Sequence, residues 1–181
     1  MAKSVLVVVD AQNGFVTDHS APVVPVLVDL VRRWESAGGS MVFTRYLNYP
    51  GSPFERYVRW SAMMTSPEID IVPELVELSG HATAVLDKTL YTMFNEEGQA
   101  LVKKHGWTDI YVSGIATESC VLKTAVDAFE LGLTPWIVED ASASTAGPAA
   151  HEAGLLVAGR FIGRGQIVRT TDLALPAATP I

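Results

Sequence analysis

The chain has 181 residues, 49% of them apolar and 18% charged, with a formal net charge of -7 and a pI near 5.0. That size and apolar content suit one domain over 1–181 whose core offsets chain entropy without disulfides or a structural metal. The acidic balance argues against nucleic acid or an anionic membrane as partner, since both would repel it, and leaves small molecules as the expected ligands.

The opening MAKSVLVVVD holds an apolar run too short to cross a bilayer, and it ends in an aspartate rather than a small-residue cleavage site. Ser4 to Val9 is therefore expected to be a strand buried on both faces, ending at Asp10. From Pro22 to Ala37 apolar residues recur at Val23, Val26, Leu27, Leu30, Val31 and Trp34, a helical spacing with Ser20 or Asp18 as cap and Gly38-Gly39 as stop. Met41 to Thr44 is a second strand. Residues 45–80 are expected to be irregular, rich in aromatics and broken by Pro50, Gly51, Pro53, Pro67 and Pro73; loops of that length tend to be functional. Thr83 to Leu86 is a third strand, Asn95 to His105 a helix capped by Asn95, and Asp109 to Ser113 a fourth strand. Glu118 to Leu131 is a helix with Val121, Leu122, Ala125, Val126 and Phe129 on one face. Thr134 to Val138 is a fifth strand, Pro148 to Gly159 a helix, and Ile167 to Arg169 a sixth strand. The closing LALPAATPI has no periodicity and is expected to be a tail that packs on a neighbouring subunit.

Alternating strands and helices specify an open α/β sheet of parallel strands covered on both faces. Ligands bind such sheets beyond the carboxyl ends of the strands. Asp10 ends the first strand, Asp87 and Lys88 the third, and the segment SGIATESCV follows the fourth, with Cys120 in the first turn of the next helix. There the free amides, the helix dipole and a nearby lysine favour a thiolate, and the same amides can receive an oxyanion. Each residue has a plainer reading. A lone cysteine in an apolar chain is more often a packing residue, Asp10 could cap a turn, and a strand-end lysine usually reaches water. What singles them out is their coincidence: an acid, a cation and a thiol, each at the end of its own strand, make a base, a stabilising charge and a nucleophile. The single cysteine cannot form an internal disulfide and fits a reducing cytosol.

VLVVVDAQNGF with Asp10, KTLYTMF with Lys88 and GIATESCV with Cys120 resemble, in order, the three signature segments of the isochorismatase-like cysteine hydrolases, over residues 4 to about 171. The resemblance implies a three-layer αβα, Rossmann-like fold around a six-stranded parallel sheet in the order 3-2-1-4-5-6. It also implies Asp10 as base, Lys88 as the holding cation, Cys120 as nucleophile, and an oxyanion hole from the backbone amides of Ala116 and Cys120. The Ile115–Ala116 peptide is expected to be cis.

Departures from the family narrow the chemistry. Members that deamidate nicotinamide carry an aspartate-x-histidine pair and a further histidine for a metal; here FTRYLNYPGSPFERYVRW holds neither residue type, and His19, His81, His105 and His151 are scattered. No metal and no cofactor are expected. Members that cleave the vinyl ether of isochorismate often lack the cysteine. The leading expectation is a metal-independent cysteine amidohydrolase acting on a small amide, carbamoyl or ureido compound. An ether hydrolase using Asp10 as acid, and a degenerate binding subunit, are the alternatives. Phe15, Trp60, Tyr91, Phe94 and Thr117 are expected to line the substrate pocket, with Gln12 as a further polar candidate. Arg45 is either a carboxylate-recognising group or a surface salt bridge, Glu118 a helix N-terminal charge, and His151 a structural residue. Relatives are commonly dimers or tetramers, so a homo-oligomer is expected.

Overall fold

The computed structural model describes residues 3–173 and 175; most of the closing segment, and with it the expected tail contact, lies outside them. β1 (Ser4–Val9) is the central strand because nearly every residue in it is apolar: Val5 to Val9 are fully buried, as a parallel strand covered on both faces requires. Around it lie β2 (Ser40–Tyr46), β3 (Ala84–Lys88), β4 (Asp109–Ile115), β5 (Thr134–Ala143) and β6 (Ile167–Val168), all pairing in parallel in the order β3-β2-β1-β4-β5-β6. The expected sheet order is the observed one.

The period-2 alternation of strand side chains divides the core in two. Val5, Val7 and Val9 face α3 (Glu96–His105), α4 (Leu122–Glu130) and α5 (Pro148–Ala158), joined by Val102, Ala125, Ala128 and Ala158. Leu6 and Val8 face α1 (Val23–Ser36) and α2 (Pro73–Gly80), meeting Leu27, Leu30, Val31 and Trp34 from α1 and Leu75 and Leu78 from α2. Among the described residues no helix is long and apolar enough to cross a membrane.

Four local expectations are corrected. Residues 45–80 are not irregular throughout: α2 begins at Pro73, in the first helical turn where its missing N–H costs nothing, and a π-helical turn spans Phe54–Val58. Neither Ser20 nor Asp18 caps α1, whose N-cap is Pro22 with no side-chain bond; the Ser20 hydroxyl donates to the Phe15 carbonyl instead. The strands run further than the apolar signal, with β2 extending to Tyr46, β3 to Lys88 and β5 to Ala143. Phe129 is 52% exposed, because α4 buries Thr124, Ala125 and Ala128 and its inner stripe is rotated from the expected one. Asn95 does cap α3, its side chain accepting from the Gly98 amide at 2.9 Å.

One backbone position fixes how closely β4 approaches β1 near the site. Gly114 has φ 107°, and a Cβ there would lie 2.1 Å from the Val9 carbonyl oxygen. Gly114→Ala combines a disallowed conformation with a backbone clash, so it is expected to cost at least about 3 kcal/mol. Urea unfolding measures this; a loss under about 0.5 kcal/mol, the range of an ordinary surface change, would contradict the packing described.

Candidate active site

The site forms where β1, β3 and β4 end. Asp10, just past β1, is fully buried and adopts φ 47°, a left-handed conformation that aspartate tolerates better than most residues. Its amide donates to Thr44 on β2, and the Thr44 hydroxyl donates back to Asp10 Oδ1 at 2.6 Å. Lys88, the last residue of β3, lies two strands from β1. With neighbouring strands about 4.8 Å apart, only a long side chain spans β2 to reach Asp10. Its Nζ donates to Asp10 Oδ2 at 2.7 Å, to the Leu90 carbonyl at 3.0 Å and to the Tyr91 carbonyl at 3.1 Å. Both side chains are completely removed from solvent.

Cys120 comes from the other side. β4 runs into a cis Ile115–Ala116 peptide and then a π-helical turn, Thr117–Val121, which leads directly into α4. The turn is clamped from outside. Thr117 Oγ1 and His151 Nδ1 of α5 are hydrogen-bonded at 2.7 Å, the Ser144 hydroxyl donates to Glu118 Oε1 at 2.7 Å, and Gly154 lets α5 approach so closely that a Cβ there would sit 2.8 Å from Glu118 Cα. Cys120 is thus held on the floor of a cavity of about 490 Å³.

Phe15, Trp60 and Tyr91 line that cavity, as do Ala116 and Cys120, together with Tyr46, Phe54, Val58, Ile115 and Ser119. The rings form a continuous wall: Phe15 stacks on Trp60 at 5.9 Å, Tyr46 meets Phe54 edge-on at 4.9 Å, and Phe54 packs on Tyr91 at 4.9 Å. Tyr46 and Phe54 were missed by sequence reasoning. The strand-end rule would have found Tyr46 had β2 been carried two residues further, whereas Phe54 sits in a segment without periodicity.

Two expected pocket residues are corrected. Phe94 is 6% exposed and belongs to the core between the sheet and α3–α5, where it lines a separate surface depression with Gln99 and Leu133. Thr117 is fully buried, with its hydroxyl turned to His151 instead of the cavity. Gln12 is spent on structure: its amide donates to the Tyr46 and Ile69 carbonyls and accepts from the Tyr46 amide. Arg45 forms the salt bridge alternative, bidentate to Asp87 at 2.7 and 2.8 Å.

The electrostatics also correct one expectation. Burial pushes the Cys120 thiol well above its ordinary pKa; Asp10 pushes the same way, and Lys88 opposes without prevailing. The resting group is the thiol, not a thiolate. Burial is the largest influence on Lys88 and works against the ammonium, but the charge and hydrogen bond of the Asp10 carboxylate favour it, and the net direction is upward. Among the described residues no three His, Cys, Asp or Glu side chains converge as metal ligands, so the donor set does not fit the metal of nicotinamide-deamidating relatives.

The isochorismatase domain family model matches residues 4–171. The chain belongs to the isochorismatase family. As a member it is a hydrolase of the isochorismatase-like fold, and curated relatives include the ureidoacrylate amidohydrolase RutB of Cronobacter turicensis, 29% identical over 211 residues, covering 97% of this chain and 90% of that one. Among solved structures, an isochorismatase-like hydrolase from Alkaliphilus metalliredigens superposes with a TM-score of 0.81 at 20% identity, covering 94% of this chain and 96% of that one. N-carbamoylsarcosine amidase from Thermoplasma acidophilum gives 0.78 at 22%, covering 95% and 99%. Those two likenesses establish the fold.

Removing one partner of a buried ion pair strands the other charge, at a cost of about 3–5 kcal/mol. Lys88→Met is expected to lose that much in urea unfolding. Adding Asp10→Asn should recover a large part of the loss; a double variant no more stable than Lys88→Met alone would contradict the pairing.

Proposed function

We propose that this protein is a metal-independent cysteine hydrolase that cleaves the C–N bond of a small amide, carbamoyl or ureido compound through a thioester on Cys120. The observation that carries the reading is a fully buried carboxylate–ammonium pair acting on the one thiol at the floor of an aromatic cavity. The names of relatives, ureidoacrylate amidohydrolase and N-carbamoylsarcosine amidase, denote the same bond cleavage.

Asp10 takes the proton of the thiol as Sγ attacks the substrate carbonyl carbon. Because burial disfavours a free thiolate, proton transfer accompanies attack and does not precede it. The negative charge that leaves Asp10 appears on the substrate oxygen, where the amides of Ala116 and Cys120 stabilise it. Collapse of the tetrahedral adduct breaks the C–N bond, and Asp10 returns the proton to the departing nitrogen, leaving the acyl group on sulfur. Water then attacks the thioester carbon, giving its proton to Asp10, and collapse releases the acid while the proton restores the thiol. Lys88 keeps Asp10 oriented and stays charged throughout. A free thiol and a small-molecule substrate fit work in a reducing cytosol.

Cys120→Ala is expected to abolish hydrolysis across an amide panel, while intact-mass spectrometry of the wild type with substrate detects an acyl adduct on Cys120. Amide turnover that persists without Cys120 would overturn the thioester route, and vinyl-ether cleavage that survives in Cys120→Ala would favour Asp10 acting alone as acid.

The raised thiol pKa sets a further expectation. At pH 7 the thiolate fraction lies below that of a free cysteine, so alkylation by iodoacetamide should be slow and should go on climbing above the ordinary thiol value, where a free cysteine levels off. Asp10→Asn removes a charge that raises that pKa and leaves Lys88, which lowers it. Alkylation at pH 7 should therefore quicken while kcat falls about 10²–10⁴-fold. Unchanged kcat would remove Asp10 from the mechanism.

A further inference from the structure

Resting on the amide hydrolase reading, we infer that the substrate is a flat amide whose acyl part carries no negative charge, so that this chain rejects carboxylate-bearing compounds of the kind named for its relatives. Ureidoacrylate and N-carbamoylsarcosine are both acids. To bind one, a cavity needs a cationic or multiply donating group aimed at the second anion. None of the described residues lining this cavity carries a formal charge, and its side-chain donors are single ones, the hydroxyls of Thr17, Tyr46, Tyr91, Ser119 and Thr145 and the Trp60 indole N–H.

Of the cations on the segments around the site, some are engaged elsewhere and the others lie outside the lining; Lys123, in the adjoining depression, is paired with Asp127. Lys88 has three N–H donors, and Asp10 Oδ2, Leu90 O and Tyr91 O receive them at 2.7, 3.0 and 3.1 Å, leaving none for a ligand. Turning the lysine toward a substrate carboxylate would strand the buried Asp10. Arg45 is held by both oxygens of Asp87, at 2.7 and 2.8 Å. Arg56 lies over the exposed ring of Tyr57, outside the lining. Arg59 is exposed and outside it as well.

What the cavity does offer is aromatic surface. The ring faces of Phe15, Tyr46, Phe54, Trp60 and Tyr91 present negative π density, which repels an anion and accepts a flat, uncharged group by stacking. The buried Asp10–Lys88 pair is neutral as a unit, so it presents no net positive charge to offset the cost of desolvating a carboxylate. The selection is therefore one of charge: without a counter-ion, a substrate carboxylate would be buried unpaired.

The test compares 4-nitrobenzamide with 4-carbamoylbenzoate, which share a flat shape and nearly the same size and differ by one negative charge. Calorimetric binding to Cys120→Ala reads charge selection without requiring turnover, and hydrolysis of both compounds by the wild type is measured beside it. The neutral compound is expected to bind at least tenfold more tightly. Equal binding, tighter binding of the carboxylate, or no binding of the neutral compound would overturn the inference. If the binding preference holds but no amide in a wide panel is hydrolysed, the hydrolase reading fails and the charge selection stands.

Discussion

Burying a carboxylate and an ammonium together costs several kcal/mol per ion before anything is gained, so the Asp10–Lys88 pair exists only because its surroundings satisfy it completely. The Thr44 hydroxyl donates to the second oxygen of Asp10, and the carbonyls of Leu90 and Tyr91 accept the remaining N–H groups of Lys88. These partners come from β1, β2, β3 and the turn that follows β3. The pair thereby ties the register of three strands to the path of that turn, and the turn carries Tyr91 into the cavity wall. A shift of one residue in β2 would turn Thr44 to the other face and leave Asp10 Oδ1 unpaired.

The same pair resolves an apparent contradiction in the nucleophile. A cysteine with a raised pKa looks poorly suited to attack, yet a permanent thiolate would add a second negative charge beside Asp10 in a water-poor site. Starting from thiol and carboxylate, the proposed reaction moves one negative charge from Asp10 to the substrate oxygen and back. The sum over Asp10, Lys88, Cys120 and substrate stays constant at every step. A buried site avoids large reorganisation in this way, because fixed donors meet a charge that relocates over a short distance and is never created anew.

Much of this was legible in the sequence, for identifiable reasons. A parallel strand buried on both faces is a continuous apolar run, so an aspartate closing VLVVV, or a lysine closing a strand two positions across the sheet, is conspicuous at the edge where ligands bind. The errors have equally physical origins. Pro73 punctuates a loop and also starts a helix, and α2 is too short for its Leu75–Leu78 spacing to declare which. Thr117 stands between two residues that do line the cavity, but the turn there is π-helical, and its side chain is directed outward to His151. Phe94 lies in the segment after β3 that also carries Tyr91 into the wall, but its side chain packs into the core between the sheet and α3–α5.

That division explains why catalysis and specificity differ in how readily they are inferred. The reactive groups hang from strand ends whose positions follow from sheet register, which hydrophobic pattern determines. Three of the five wall aromatics, Phe15, Phe54 and Trp60, instead come from stretches whose path depends on tertiary bonds such as Asn48 to the Trp60 and Ala62 carbonyls and Gln12 to Ile69. No local propensity encodes those bonds. The charge of the wall, unlike its shape, can be counted residue by residue once the lining is known. It sets a constraint that the reactive groups alone do not: the same acid, cation and thiol could serve an anionic substrate, but only behind a wall with a cation to spare.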